Sequence, residues 1–182
     1  MRPLVALLAL GLSLPALARE VAGVQIPDSV TVGGQTLALN GAGLRSKLFI
    51  KVYVGALYLE QKSGDPAAII AANGAWQVVM TFKRDVDKSA ILGAFKDGFE
   101  NNSRAEAAAL IPQLARVDAV MKDLKSGDVL VIGYAPGVGA TVTAPGGGTV
   151  TVEGKPFADA LLRNWLGDKP ADGDLKKGML GK

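Results

Sequence analysis

The side chains best suited to binding a ligand cluster in one stretch of the chain. Arg45 ends a glycine-rich segment, and the apolar run 48–59 that follows contains Lys51 and Tyr53. β-Branched and aromatic residues dominate this run, which predicts a central β-strand. Because side chains alternate across a strand, Lys51 and Tyr53 share one face with Phe49. A face that combines a cation, a phenol and large apolar groups is suited to an acidic or phenolic ligand.

Each of these residues also has a purely structural interpretation. Lys51 would then reach solvent at the rim of the sheet, and Tyr53 would pack with its hydroxyl satisfied internally. Arg45 would pair with an acidic side chain, for which Glu100 is the first candidate. Eight residues separate Arg45 from Tyr53, so the two meet only if the chain turns between them. The residues alone leave both interpretations open.

The composition excludes several classes of function. The chain contains no histidine and no cysteine, which removes the usual ligands of transition metals and the usual nucleophile–base pairs. Its net charge is only +3 and aromatic residues make up 5%, so the pattern of stacked rings among basic residues that binds nucleic acid is absent. We therefore predict no metal, no cofactor and no nucleic-acid partner, and any acid–base chemistry would fall to Asp, Glu, Lys or Tyr.

The first residues of the chain have the pattern of a secretory signal. Arg2 precedes an apolar run, and the run ends in the small-residue motif 16–18. This pattern predicts a signal peptide over residues 1–18 and a periplasmic mature protein, since no cysteine follows as it would in a lipoprotein. The run is too short for a typical membrane span, although an uncleaved anchor is the alternative.

The remaining residues, 19–182, are predicted to form a single domain, because no repeat or linker interrupts them. Strands come early, helices lie in the middle, strands return, and one helix precedes a polar tail from Gly167. This order predicts an α+β fold in which helices pack on one face of an antiparallel sheet. The predicted strands cover 29–32, 35–39, 48–59, 76–84, 129–134, 141–144 and 149–152. The predicted helices cover 66–72, 88–102, a broken stretch from 103 to 124, and 156–165.

One amide pair stands out at the end of the second predicted helix. Asn101 and Asn102 follow the apolar stripe of that helix. An amide that faces inward needs hydrogen-bond partners, and a ligand is one source of them. The alternative is that the pair ends the helix as a C-terminal cap.

Taken in order, several segments resemble the chalcone isomerase superfamily, and in particular its exported bacterial branch. The resemblance covers nearly all of residues 19–182 and implies an open-faced β-sandwich, a large antiparallel sheet covered on one face by helices, with a ligand cleft between them. The segments that carry it are Gly41-Ala42-Gly43-Leu44-Arg45, Phe49-Ile50-Lys51-Val52-Tyr53, Phe82-Lys83-Arg84-Asp85-Val86, Phe99-Glu100-Asn101-Asn102 and Trp165-Leu166-Gly167.

The resemblance also implies a set of ligand-binding positions. Arg45 matches the arginine of the enzymes' glycine-rich motif, and Asn101 matches their asparagine. Tyr53 stands where the enzymes carry a catalytic threonine, and Asn164 where they carry threonine or serine. Ala94 falls where the enzymes have an active-site tyrosine, so isomerase activity is not expected. The predicted ligand-binding residues are therefore Arg45, Tyr53, Asn101 and Asn164.

An arginine and a tyrosine at these two places instead resemble the non-catalytic, fatty-acid-binding branch of the superfamily. That resemblance implies a carboxylate held by Arg45 and Tyr53, between apolar walls predicted to include Phe49, Phe95, Phe99 and Trp165. The sequence thus predicts a periplasmic binding protein for a small apolar carboxylate such as a fatty acid. Two alternatives remain: an isomerase acting on chalcone-like unsaturated ketones, and a scaffold without a ligand.

Overall fold

The structure is a computed structural model that describes residues 19–182. The predicted signal peptide, residues 1–18, lies outside the described residues. None of the helices within 19–182 combines the length and the apolar character needed to cross a membrane. The strands, in chain order, are β1 Arg19–Val21, β2 Val24–Ile26, β3 Ser29–Val32, β4 Gln35–Lys47, β5 Ile50–Leu59, β6 Trp76–Phe82, β7 Val129–Ala135, β8 Gly139–Thr143 and β9 Thr149–Val152.

Strands β3 to β9 form one antiparallel sheet of seven strands in which every strand pairs with its neighbours in the sequence. No crossover is needed, because each strand is antiparallel to its neighbour, and the long connections from β5 to β6 and from β6 to β7 contain helices. Strands β1 and β2 form a separate two-stranded ribbon. With helices packed against the large sheet, the predicted α+β fold is confirmed.

The first helix begins where the sequence supplies a suitable cap. Asp65 accepts hydrogen bonds from the backbone N–H groups of Ala67 and Ala68, and Pro66 follows at the first helical position. The second helix has the predicted bounds. The helices are α1 Pro66–Ala71, α2 Lys88–Asn102, α3 Arg104–Leu110, α4 Leu114–Asp118, α5 Lys155–Leu166 and α6 Gly173–Met179, with a 3₁₀ turn at Ile111–Gln113 between α3 and α4.

Strand β4 is much longer than predicted. The prediction ended this strand at Leu39, whereas it continues through the glycine-rich segment 41–45 and the chain reverses at Leu48 and Phe49. Gly41 is required for close packing, because a Cβ there would overlap the carbonyl oxygen of Gly178 in α6. The glycines of β4 therefore allow a helix backbone to lie directly on the strand.

The C-terminal segment also differs from the prediction. The tail from Gly167 was expected to be polar and to lie on the surface, but it contains helix α6, which packs on β4. The Asp172 side chain caps this helix by accepting hydrogen bonds from the N–H groups of Asp174 and Leu175. Leu175 is fully buried, which explains why the helix docks despite its short length.

The sheet buries apolar side chains on both faces. The larger cluster lies between the sheet and the helices and includes Phe82 of β6, Phe99 of α2 and Trp165 of α5. A smaller cluster on the opposite face includes Ile26 of β2 and Tyr58 of β5, so the β1–β2 ribbon covers part of that face. The helical layer and the open end of the sheet together position the site described below.

Candidate functional site

A cleft of about 850 Å³ opens between the sheet and the helical layer, at the end where β5 begins and β6 ends. Its floor comes from β4, β5 and β6, one wall from α2, and its inner end from α5. The side chains that line its interior are Arg45, Val52, Tyr53, Met80, Ile91, Phe95, Asn164 and Trp165. The volume lies within the usual range for small-molecule sites, about 300–1,000 Å³.

Arg45 and Tyr53 face each other across the β4–β5 hairpin. They are directly paired in the register of the two strands, which resolves how residues eight apart in the sequence come together. The guanidinium carbon of Arg45 lies 5.6 Å from the centroid of the Tyr53 ring, within the range of a cation–π contact. The chain does turn between Arg45 and Tyr53, and the residues that form the turn are Leu48 and Phe49.

An irregularity in β5 brings more of this strand to the cleft than simple alternation allows. The register shifts between Arg45 and Ser46, which leaves Val52 as an extra residue, a β-bulge. Val52 and Tyr53 consequently both join the core on the helical side. The predicted alternation, with Val52 on the face opposite Tyr53, is therefore wrong at this point. Lys51 is exposed, as in its structural interpretation.

No carboxylate within residues 19–182 forms an ion pair with Arg45. Its Nε is buried and has no hydrogen-bond partner among those residues. Glu100, the predicted internal partner, is exposed and lies 3.8 Å from Lys96 Nζ instead. Asp172 is near, but its carboxylate is occupied by the N–H groups of Ser46 and of the first turn of α6. Arg45 thus retains donors for a ligand in the cleft.

Tyr53 is buried and its hydroxyl is held in place. Trp165 Nε1 donates a 2.9 Å hydrogen bond to the hydroxyl oxygen of Tyr53. Burial raises the pKa of Tyr53 to about 12, although Arg45 and the Trp165 hydrogen bond act in the opposite direction. The phenol is therefore neutral at physiological pH. Its own proton has no acceptor among residues 19–182 and is available to a ligand.

Asn164 lies at the inner end of the cleft and is 5% exposed. Its Nδ2 donates hydrogen bonds to the carbonyl oxygens of Ala160 and Leu161, one turn earlier in α5. Its Oδ1 faces Gly98 of α2, where a Cβ would collide with it. The amide therefore lies between two helices, with its nitrogen already engaged.

The family model described as chalcone isomerase-like matches residues 18–181. The chain belongs to the chalcone isomerase-like family. Within the solved structures, a fatty-acid binding protein of Arabidopsis thaliana matches with a TM-score of 0.64 and 15% sequence identity. The match covers 87% of this chain and 92% of the plant protein, and at this identity it establishes a shared fold. No curated protein sequence matches.

Two residues predicted to belong to the site, Asn101 and Phe49, lie outside the cleft. Asn101 is exposed on α2 and does not line the cleft, because the helix turns it outward. Its neighbour Asn102 is the last residue of α2, and its side chain bonds Gly98 O and both backbone groups of Lys169. Phe49, predicted to line the cleft, is fully exposed at the hairpin turn.

Phe99 also differs from its prediction. It is fully buried, and its ring packs edge-on against Phe157 with the centroids 5.6 Å apart. It therefore belongs to the core behind the cleft and does not contribute to the cleft wall. Phe95 and Trp165 do line the cleft, and their rings meet edge-on at 6.3 Å.

Several residues of the cleft were not predicted from the sequence. Met80 on β6 and Ile91 on α2 supply apolar wall, and Arg84, Asp85 and Asp87 lie at its rim. The period of two in β6 and the apolar stripe of α2 place Met80 and Ile91 on inward faces, but only the helix packing shows that those faces meet at a cleft. Within residues 19–182, no group of acidic side chains is arranged to hold a metal ion.

Proposed function

We propose that this protein binds a small apolar carboxylate, such as a fatty acid, in the cleft and does not transform it. The observation that carries the proposal is the state of Arg45, whose buried Nε lacks a partner among residues 19–182 while its guanidinium borders the cleft. Arg45 is half-buried, and a charged group with a desolvated donor is destabilising unless that donor is paired and a counter-charge lies beside it. A ligand carboxylate supplies that charge and matches the fork of N–H donors in a bidentate contact.

Tyr53 complements this contact. Its pKa of about 12 keeps it protonated, so it donates a hydrogen bond to an anion and does not act as a base. Trp165 holds the oxygen of Tyr53 from the other side. Two donors on adjacent strands would thus grip one carboxylate.

The apolar wall would receive the hydrocarbon part of the ligand. Met80, Ile91, Phe95 and Trp165 are each at most 5% exposed and border the cleft beyond the two donors. Such a wall stabilises an alkyl chain by about 0.8 kcal/mol for each CH₂ group that is buried.

The structural relative supports this class of ligand. The plant protein is described as a fatty-acid binding protein and shares the fold over most of both chains. We extend its ligand class to this chain because the donors and the apolar wall suit a fatty acid. Ala94 also lines the cleft, where the resemblance places the active-site tyrosine of the isomerases.

The proposed location is the periplasm. A signal peptide over residues 1–18 would end just before β1, whose first residue, Arg19, pairs with Ile26. Cleavage there would leave every described element intact. Intact-mass measurement of the protein from a periplasmic extract is expected to show a chain that begins at Arg19.

Native mass spectrometry followed by calorimetric titration tests the ligand. We expect a carboxylic acid to accompany the purified protein and medium-chain fatty acids to bind to the stripped protein. The R45A substitution is expected to weaken binding by about 2–4 kcal/mol, the range for removing one partner of a buried charge pair. R84A is the matched control, because Arg84 lies at the rim of the same cleft but is exposed. Equal losses in both variants, or a parent protein that binds no fatty acid, would contradict the proposal.

A further inference from the structure

The turn between β4 and β5 exposes three consecutive large apolar side chains. Leu48, Phe49 and Ile50 are 82%, 102% and 51% exposed, the first two being the most exposed large apolar residues within 19–182. Scattered exposed apolar residues are ordinary, but a contiguous apolar tip marks an interaction surface. We call Lys47–Lys51 the hairpin tip.

The backbone of the hairpin tip is unfavourable for the residues that occupy it. Leu48 and Phe49 have φ values of 48° and 67°, and Lys47 pairs with Ile50 around them. A two-residue loop with positive φ at both positions favours Asn and Gly. Bulky residues are strained in this region, and such strain is concentrated at functional sites. Folding alone does not account for leucine and phenylalanine here.

The charges of the hairpin tip have one sign. Lys47 and Lys51 flank the apolar residues, both are exposed, and no acidic residue occurs from 45 to 59. Of the acidic residues that line the cleft, Asp85 and Asp87 follow β6 and Asp97 belongs to α2, so all three lie outside the hairpin. An apolar tip between two lysines fits the interface of a bilayer, where the rings and alkyl groups enter the acyl boundary and the ammonium groups meet anionic headgroups.

We propose that the hairpin tip docks the protein on an anionic lipid bilayer. A second copy of the chain fits less well, because stable protein interfaces bury about 800 Å² on each partner. A large aromatic side chain buries about 150–250 Å², so three side chains at a narrow turn fall short of that area.

Docking through the hairpin tip would bring the cleft to the membrane surface. Lys47, Leu48 and Ile50 line the cleft as well as belonging to the tip. A lipid-derived ligand could then pass between bilayer and cleft without crossing bulk water. This route rests on the proposed function, whereas the docking itself does not.

Vesicle flotation tests the docking. The full chain is expressed, its N-terminus is established by intact mass, and it is mixed with vesicles of phosphatidylcholine alone or of an equimolar mixture with phosphatidylglycerol. We expect binding to the mixed vesicles. The double variant L48N/F49G should bind at least about tenfold more weakly, since two apolar side chains are lost. K47Q/K51Q should lose about fivefold per lysine on the mixed vesicles only.

Controls separate docking from misfolding. L48N/F49G places the residues that this turn prefers, so its thermal stability should equal or exceed that of the parent. V138S removes an exposed valine from the β7–β8 turn at the opposite end of the sheet and should bind as the parent does. In F49W, binding to vesicles should shift the indole emission to shorter wavelength as the new side chain leaves water. The shift reports on position 49, because Trp76 and Trp165 are already buried.

Unchanged flotation of L48N/F49G, or an unchanged F49W spectrum with vesicles, would overturn the proposal. So would light scattering that shows a dimer in the parent and a monomer in L48N/F49G, because the tip would then bind a second copy. If the parent protein binds no fatty acid but still floats with the mixed vesicles, the proposed function is refuted and the docking stands.

Discussion

Trp165 donates its indole N–H to the hydroxyl oxygen of Tyr53, 112 positions away in the sequence, at a distance of 2.9 Å. This bond joins the last helix of the α2–α5 layer to a central strand directly beneath the cleft. It fixes the Tyr53 oxygen as an acceptor toward Trp165, and the phenol proton has no acceptor among residues 19–182. The bond therefore contributes to stability, and under the proposed function it also orients Tyr53 toward the ligand.

Replacing Tyr53 by phenylalanine tests both consequences, because stability and affinity are measured separately. Y53F leaves the buried indole N–H of Trp165 without an acceptor, so the free energy of unfolding should fall by about 1–3 kcal/mol. Fatty-acid affinity should also fall, by about 0.5–1.5 kcal/mol, for the lost neutral hydrogen bond. Urea unfolding and calorimetric titration measure the two effects. Y134F is the control, since Tyr134 bonds Asn73 away from the cleft and should change stability alone. A Y53F variant that binds as the parent does would exclude Tyr53 from the ligand contact.

Stability at alkaline pH should depend on the buried tyrosines. Burial raises the pKa of Tyr53 to about 12 from its ordinary value of 10.0. The protonated form is thus favoured in the folded state, and its contribution is complete below pH 10 and lost as the pH rises toward 12. The expected loss from Tyr53 is about 2–3 kcal/mol of unfolding free energy. In urea unfolding across this range, Y53F should lose less stability than the parent. Part of the decline should persist, because burial also raises the pKa of Tyr58 to about 12.

The close approach of α6 to β4 should make Gly41 intolerant of substitution. A Cβ at position 41 would overlap the Gly178 oxygen and lie 2.8 Å from Gly181 N, and backbone atoms cannot rotate away. G41A should therefore lower the free energy of unfolding by about 1–3 kcal/mol, as overpacking does. G173A is the matched control, because nothing lies within 4 Å of a Cβ there and its effect should stay within about 0.5 kcal/mol. A tolerated G41A would mean that α6 does not rest on β4.

Chalcone isomerisation is not expected above the spontaneous rate. Tyr53 is a neutral phenol bonded to Trp165, and Ala94 offers no acid or donor on the α2 side of the cleft. A stopped-flow assay with a chalcone checks this prediction. Saturable, stereoselective ring closure that R45A abolishes would show instead that the cleft is catalytic.

Local signals in the sequence were sufficient for much of the fold. The Asp65-Pro66 start of α1 follows from capping, and the extent of α2 follows from an apolar period of 3.6 residues. Both signals depend only on neighbouring residues. The Gly33-Gly34 hairpin between β3 and β4 follows from turn preferences in the same way. Of the predicted site, Arg45, Tyr53, Asn164, Phe95 and Trp165 all line one cleft, although their ligand roles remain predictions.

The errors arose where distant contacts determine the local structure. The glycines of β4 lower strand propensity and indicate a turn, yet they lie in a strand because α6 needs the space. Helix α6 has two glycines of its own, which obscured its cap at Asp172 and the spacing of Leu175 and Met179. The exposure of Phe49 was missed because a Leu-Phe turn contradicts turn preferences.

The docking of α6 also determines when this protein can fold. Asn40 of β4 donates a hydrogen bond to the carbonyl oxygen of Met179, 139 positions later, so the first long strand is completed by the last helix. Contacts of such separation form late, because they close a long loop at a cost in chain entropy. During synthesis, the strand that carries Arg45 therefore lacks the helix that packs on it until residues 173–179 have left the ribosome.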